Sequence, residues 1–492
     1  MRFSASRREF VKTSSALSAA VFVGGSATRT LLAQERSANE RVRYACIGVG
    51  GKGSSDSNDA SDNGDIVAIC DVDANTLGSR AIDLMKRSKS KELKPTMYTD
   101  FRKLLESEKN IDAVTVSTPD HTHAVAAAMA MKLGKACFCQ KPLTHSVWEA
   151  RRLQEIAKET GVATSMGNQG TANRGLREAA AVLKSGALGK IKECHVFTDR
   201  PVWPQGGPRG ESLAVPDSLD WNPWLGPAPL RPFAAGYHTF AWRGWWDFGT
   251  GALGDMACHT FNMPYMGLDL ADPVSIQAWC ETPMLVKKKS EKNRGEFNAE
   301  KDTETVVTGH NGDTYPAKSK IKFEFPKNDW RDAITVWWYD GGYMPEESLL
   351  GGEKFRRKGK NPDGKATGSI IVGDKGYLYS WDDYAAEFMV SIGGSNEVPK
   401  VEYERSPGHF VEFHESVTGK RKRAVANFES YAGKLTETIL LGNLAVWAAS
   451  TGESKVIEWD TKTMTTPNAP ELAQIVRRPY RAGYEGILES RG

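Results

Sequence analysis

A lysine at the end of one apolar run, and an aspartate and histidine one helical turn apart, are the residues of this chain best suited to chemistry. Lys141 lies in Gln140-Lys141-Pro142-Leu143, closing the apolar run 136–140. An amine there can polarise a substrate oxygen while hydride moves to or from a nicotinamide ring. Asp255 and His259 lie in Gly249-Thr250-Gly251-Ala252-Leu253-Gly254-Asp255-Met256-Ala257-Cys258-His259, where i,i+4 spacing puts both on one helix face. A carboxylate beside an imidazole holds its tautomer and raises its basicity, which predicts a general base. No third ligand of suitable spacing joins the pair, so no metal is expected.

The cofactor such chemistry needs has a motif of its own. Gly48-Val49-Gly50-Gly51-Lys52-Gly53 follows the apolar run Val42–Ile47 with the spacing G-x-G-x-x-G. A second buried-strand run ends in Asp71, 23 residues after Gly48, where such motifs place an acid. Gly48 allows a tight turn, Gly50 and Gly51 let backbone approach a pyrophosphate, and Gly53 lets helix and strand pack closely. Asp71 accepts from ribose hydroxyls and repels a 2′-phosphate, so NAD is expected over NADP. The helix that follows, 54–61, is rich in Ser, Asp and Asn, which compete with helical backbone, and is expected to be short or to start late.

Six of the 14 tryptophans fall between 203 and 246, and Trp242-Arg243-Gly244-Trp245-Trp246 runs into the Asp255/His259 segment. Indole faces suit the C–H faces of a sugar, so Trp203, Trp242 and Trp245, with His238 beside them, are candidate substrate contacts. Core packing is the other reading for each tryptophan.

The elements that must position these residues alternate over 42–166, with strands expected at 42–48, 65–71, 111–117, 136–140 and 162–166 and helices such as 123–133 and 147–160. That is the pattern of parallel βαβ units. All the suspect chemistry follows strand ends: Gly48, Asp71, Ser117-Thr118-Pro119, Gln140-Lys141, and Gly167-Asn168-Gln169. After a helix at 174–183, strands dominate: 191–197, 274–280, 304–309, 319–325, 333–339, 369–373 and 376–381. Asp374-Lys375-Gly376 joins the last two as a tight turn. The expected class is α/β: a doubly wound parallel Rossmann sheet, then an α/β domain with a large, mainly antiparallel open sheet. Residues 341–368 read as a mobile insertion, and a helix at 431–451 precedes a tail. The expected units are a leader over 1–33, an NAD-binding domain over 41–166, a substrate and oligomerisation domain over 167–451, and a tail over 452–492.

Ser6-Arg7-Arg8-Glu9-Phe10-Val11-Lys12 has the form of a twin-arginine export signal, followed by a weakly apolar stretch. An exported protein handled by the twin-arginine machinery, periplasmic or otherwise outside the cytoplasm, is therefore expected. Removing residues 1–33 takes away five basic groups and one acid, bringing a net charge of +3 to −1. A near-neutral chain has no electrostatic reason to bind nucleic acid or anionic membrane. No later apolar run approaches the roughly 18 residues of a membrane span. The seven cysteines show no paired spacing, and Cys46, Cys70, Cys137 and Cys139, inside apolar strand-like runs, are expected in buried apolar roles.

With these residues in view, the chain resembles the Gfo/Idh/MocA oxidoreductases over 41–451. The likeness is carried by Ser117-Thr118-Pro119-Asp120-His121-Thr122-His123, Gln140-Lys141-Pro142, Leu183-Lys184-Ser185-Gly186-Ala187-Leu188-Gly189 and Asp255-x-x-x-His259. The resemblance implies NAD(P)-dependent oxidation or reduction of sugars, inositols or their derivatives, and a homo-oligomer formed through the open sheet. By position, Lys141 matches the lysine that orients the reacting oxygen, His259 the acid/base, and Asp255 its partner. Ser117, Pro119 and His123 match the loop near the nicotinamide ribose. Gln140 stands where the family usually has glutamate, and an amide there keeps hydrogen bonding without a charge. Some proteins of this fold are glycosidases that hold NAD and cleave through transient oxidation and elimination. They are associated with valine at the lysine position, so Lys141 argues for a dehydrogenase. Export, away from any soluble nicotinamide pool, calls for tightly held NAD in either case.

Overall fold

The computed structural model describes residues 41–89, 94–207, 209–281, 286–287, 303–304, 313–356 and 366–489. The leader expected over 1–33 lies outside the described residues, as does most of the strand expected over 304–309.

Six strands, β1 (Val42–Ile47), β2 (Gly64–Cys70), β3 (Thr96–Tyr98), β4 (Ala113–Val116), β5 (Ala136–Cys139) and β6 (Thr164–Met166), form a sheet in the order β3-β2-β1-β4-β5-β6. Every pairing in it is parallel. The helices between are α1 (Lys52–Asn63), α2 (Ala74–Arg87), α3 (Phe101–Ser107), α4 (Asp120–Lys132) and α5 (Val147–Thr160). β4 and β5 are buried throughout, as strands covered by helices on both faces must be. Strand order reverses between β1 and β4, which opens a crevice beyond their carboxyl ends. Local signals set the helix ends. Ser146 and Glu149 form a capping box on α5, and Gly161 closes it in the left-handed region.

Two expectations of this domain change. α1 is neither short nor late; it starts at Lys52 and runs 12 residues. Its polar residues are used in tertiary contacts. Arg80 of α2 donates to Ser54 O, Ser57 Oγ and Asn58 Oδ1, and Ser117 Oγ and Gln140 Nε2 donate to Asp56. β3 carried no signal because it is a three-residue edge strand, largely exposed.

The second sheet follows α6 (Arg174–Lys184). It contains β7 (Ile191–Phe197), β8 (Ser275–Cys280), β11 (Ser319–Phe325), β12 (Ile334–Tyr339), β13 (Gly368–Gly373), β14 (Gly376–Ser380), β15 (Phe388–Ile392) and β16 (Ile457–Glu458). β9 (Val286–Lys287) and β10 (Thr303–Glu304) pair apart from it. The order is β15-β14-β13-β7-β12-β11-β8-β16, with β7–β12 the one parallel pairing. Alternation in β11 sends Ile321, Phe323 and Phe325 inward and Lys320, Lys322 and Glu324 outward. The inner face meets α8 (Gly251–Thr260) and α11 (Gly433–Thr451); a short α7 (Trp221–Leu225) and α9 (Asn262–Leu268) complete this part. The described part of the stretch read as a mobile insertion is anchored, since Leu350 and Phe355 are buried against Phe197 and Tyr379.

The chain then returns to the first domain. α10 (His409–Val417) sets Phe410 and Phe413 against Phe138, with ring centroids 5.0 and 5.6 Å away. The tail is built in as well. β16 joins β8, Tyr484 and Leu488 are buried, and Lys132 Nζ donates to Ile487 O (2.6 Å). Both domains are therefore discontinuous in sequence. Among the described residues, no helix is long and apolar enough to cross a membrane.

Candidate active site

The glycine loop bridges β1 and α1. Gly48 has φ +77°, and a Cβ there would lie 2.6 Å from Ser117 O. A Cβ on Gly53 would lie 2.1 Å from Gly48 O, so only glycine lets α1 start this close to the strand end. Around Gly51 nothing stands within 4 Å, and its φ of +50° is the reason for glycine. No side chain caps α1, whose Gly53 and Ser54 N–H groups turn back onto Gly50 O (2.8 Å) and Gly51 O (3.2 Å); an uncapped helix start at a glycine loop is the usual cradle for a phosphate. Asp71 closes the other side. Its Oδ2 accepts from Val49 N (2.9 Å) and Gly50 N (3.3 Å), and Oδ1 accepts from Asp73 N (3.0 Å). Burial pushes its carboxyl up, and those three N–H bonds oppose the shift. Clash-limited glycines, an uncapped helix start and an acid at the end of β2 fit a dinucleotide.

Beyond β4 and β5, two loops meet under this cradle. Ser117 Oγ and Gln140 Nε2 both donate to Oδ2 of the fully buried Asp56, at 2.7 and 2.8 Å. Pro119 precedes α4. His123 is buried, with Nδ1 2.8 Å from Pro142 O and Nε2 2.8 Å from Thr118 O. Burial pushes His123 down to about 4, so the neutral ring donates to one carbonyl at a time and acts as a strut between the two loops. Asp120, in the first turn of α4, is pushed up to about 7 by burial, against the hydrogen bond from Thr250 Oγ1.

Lys141 reaches across from this loop to α8. Its Nζ donates to Asp255 O (2.7 Å) and Asp255 Oδ1 (2.9 Å), and Arg243 Nε donates to the same Oδ1 (3.2 Å). Burial would raise the Asp255 carboxyl, but Lys141 and Arg243 hold it well below the usual range. Two of the three ammonium donors are taken, which leaves one for a substrate oxygen.

His259, one turn along α8, bonds elsewhere. Its Nδ1 lies 2.9 Å from Asn168 Oδ1. The Asn168 amide N–H is committed to Cys258 O, so its oxygen faces the ring and Nδ1 must donate. In the neutral ring Nε2 then carries the lone pair. Burial first, then Lys141, holds His259 well below its usual pKa, and the Tyr384 ring meets it edge-on at 4.8 Å. The expected hydrogen-bonded Asp255–His259 pair is thus replaced. Asp255 neutralises Lys141 and Arg243, and Asn168 orients His259. Sequence reasoning assigned no role to Arg243, Asn168 or Asp56. Asn168 follows β6 and Arg243 interrupts a tryptophan run, but neither position reveals a partner.

The tryptophans mainly build a core. Trp242 and Trp245 are buried, donating to Thr239 O (3.0 Å) and Gly236 O (3.1 Å). Trp203 is buried too and bonds Gln205. Two rings with open surface stand by the site: Tyr384, half-buried against His259, and Phe240, 50% exposed, with the Arg243 guanidinium 4.6 Å from its centroid. His238 Nε2 lies 3.5 Å from Asp73 Oδ2, beside the end of β2 rather than beside Lys141. The same segment is sewn to that strand end by Ala74 N to Ser218 O and Asp220 N to Val72 O, both 2.8 Å. Among the described residues, no group of three or more His, Cys, Asp or Glu could hold a metal.

Comparison with known proteins agrees with this architecture. The profile described as the oxidoreductase family Gfo/Idh/MocA, NAD-binding Rossmann fold, matches residues 42–168, and that of its C-terminal alpha/beta domain matches 179–318. The 2,7-anhydro-N-acetylneuraminate hydratase of Escherichia coli is 33% identical over 99 residues, 20% of this chain and 26% of that protein. The scyllo-inositol 2-dehydrogenase (NAD(+)) of Bacillus subtilis is 35% identical over 106 residues, 22% of this chain and 30% of that protein. The matches thus span less than a third of either relative. An inositol dehydrogenase homolog from Azotobacter vinelandii, solved with NADH and myo-inositol, aligns over 86% of this chain and 98% of its own, with TM-score 0.52 and 16% identity. At that identity the likeness is one of fold.

Proposed function

The chain belongs to the Gfo/Idh/MocA oxidoreductase family, and on that premise we propose that it is an exported NAD-dependent enzyme acting on a sugar, an inositol or a derivative of one. The observation that carries this reading is the pairing of a lysine ammonium, fixed by Asp255, with a neutral histidine, fixed by Asn168, beside a glycine-loop cradle. A nicotinamide bound at that cradle supplies the hydride acceptor or donor. Lys141 places its free N–H on the reacting oxygen and stabilises the charge that develops there. His259 Nε2 takes the hydroxyl proton in oxidation and returns it in reduction. Asp255 keeps the cluster of Lys141 and Arg243 from accumulating two uncompensated cations. Asp71 selects NAD by repelling a 2′-phosphate.

The Arg7-Arg8 segment supports export, and an exported enzyme works away from a soluble nicotinamide pool. The protein therefore retains NAD(H) and turns over without free cofactor, either by coupling two sugar half-reactions or by cleaving a glycoside through a transient ketone. Retention of Lys141 favours the first. The outward face of the second sheet, with Trp279 37% exposed and Lys320 over Trp337, supports a homo-oligomer through that face.

The test is to denature the purified protein, assay released nicotinamide, and screen free sugars and glycosides without added NAD. Paired oxidation and reduction supports the dehydrogenase, and aglycone release would replace it with the glycosidase. An empty protein that strictly depends on added NAD would overturn retention.

A further inference from the structure

The buried carboxylate under the two loops has no part in the reaction as derived. Asp56 is 0% exposed and binds three partners: Lys52 Nζ on Oδ1 (2.8 Å), and Ser117 Oγ and Gln140 Nε2 on Oδ2. These reach it from the glycine loop's helix, the end of β4 and the end of β5. Gln140 is held on its far side as well, since a Cβ on Gly167 would lie 2.3 Å from its Nε2. The Gln140 side chain is packed between Asp56 and Gly167, and Lys141, whose N donates to Gln140 Oε1 (3.4 Å), is the next residue along.

We propose that Asp56 is a positioning residue for Lys141, acting through Gln140, and that the amide at 140 is required by the carboxylate at 56. A glutamate at 140 would put two carboxylates at hydrogen-bond distance in a buried site, where one must stay protonated. Asp56 thus carries the negative charge, and Gln140 supplies the matching donor. Lys52, on the rim of the cradle, is the cation that offsets it. This inference rests on the proposed role of Lys141 as the group that orients the reacting oxygen. The other titratable groups near Asp56 are Asp59 on α1, Cys46 on β1, Cys139 on β5 and His409 on α10.

The test compares Gln140→Glu, Asp56→Asn and the exchanged pair Asp56→Asn/Gln140→Glu in the full chain. NAD affinity, from quenching of tryptophan fluorescence, and melting temperature are read across pH, together with single-turnover reduction of bound NAD, which reads Lys141 and should fall about tenfold in Gln140→Glu and recover in the exchanged pair. Gln140→Glu should weaken NAD binding by about tenfold, the coupling expected of residues in contact, and lower the melting temperature. Both deficits should shrink as the medium is acidified and the two carboxylates share a proton. The exchanged pair, which restores one acid and one amide, should recover both without acidification. Parent-like behaviour of Gln140→Glu at every pH, or an exchanged pair no better than Gln140→Glu, would overturn the proposal. Absence of NAD binding by the parent would instead refute the proposed function, while the melting temperatures would still decide the Asp56–Gln140 coupling.

Discussion

At the scale of residues, the account rests on which partner each charged group chooses. Lys141→Ala should lose about 10²–10⁴ in turnover, the scale of a positioned proton-transfer group, with NAD still bound. Asp255→Asn should also slow turnover, and its effect should be non-additive with Lys141→Ala, because Asp255 acts by holding that ammonium. Additivity in the double variant would contradict this. His259 is neutral because burial disfavours imidazolium, so the acid limb of the pH–rate profile should lie below the ordinary histidine value of about 6.5. Asn168→Asp would put a carboxylate against Nδ1, favour imidazolium, and move that limb upward. Lys141 and His259 were legible as candidates from residue type and position. Their partners were not. The spacing of Asp255 and His259 fixes a shared helix face, but a lysine 114 residues away claims the carboxylate, and sequence spacing on α8 carries no information about that competitor.

At the scale of elements, the site depends on how closely α1 approaches the ends of β1 and β4. Gly53→Ala would drive a methyl group into Gly48 O and should cost at least about 2 kcal/mol of stability, as overpacking does, along with NAD binding. Gly51→Ala meets no neighbouring atom, only the strain of a backbone at φ +50° and ψ −121° that favours glycine, about 1–3 kcal/mol, and should retain the fold; comparing the two melting temperatures checks both. Most of this architecture could be read in advance, because buried parallel strands are continuous apolar runs. β7 and β11 fall at the runs expected, 191–197 and 319–325, and Asp374-Lys375 joins β13 to β14 as a tight turn. What escaped reading lacked such a signal. β3 is short and exposed, and the polar residues of α1 are bound by Arg80 from another helix, a partner their own sequence does not show.

At the scale of the molecule, α10 and the tail close the first domain, so truncation after 476 should destabilise the NAD-binding unit although it removes none of its strands. Leu488→Ala alone should cost about 2–5 kcal/mol, the range for a buried leucine, read by denaturant unfolding. Burial also sets a global pH dependence. His121, His123 and His409 are each pushed down to about 4, against about 6.5 in the unfolded chain. As pH falls through that unfolded value, the unfolded state takes up protons that the native state refuses, and stability declines. Asp120, pushed up to about 7, opposes this by binding its proton more tightly when folded. Asp120→Asn should therefore steepen the acid loss of melting temperature, and an unchanged slope would contradict the assignment. The central claim is that this fold brings a bound nicotinamide and a fixed Lys141 to one substrate carbon. It is tested most directly by mixing NAD-loaded protein with a panel of sugars and inositols and following reduced-nicotinamide absorbance in a single turnover. The account predicts reduction in the parent with at least one such substrate, and its loss in Lys141→Ala with NAD still bound. Reduction at the parental rate in Lys141→Ala, or none in the parent with any substrate of this class, would contradict it.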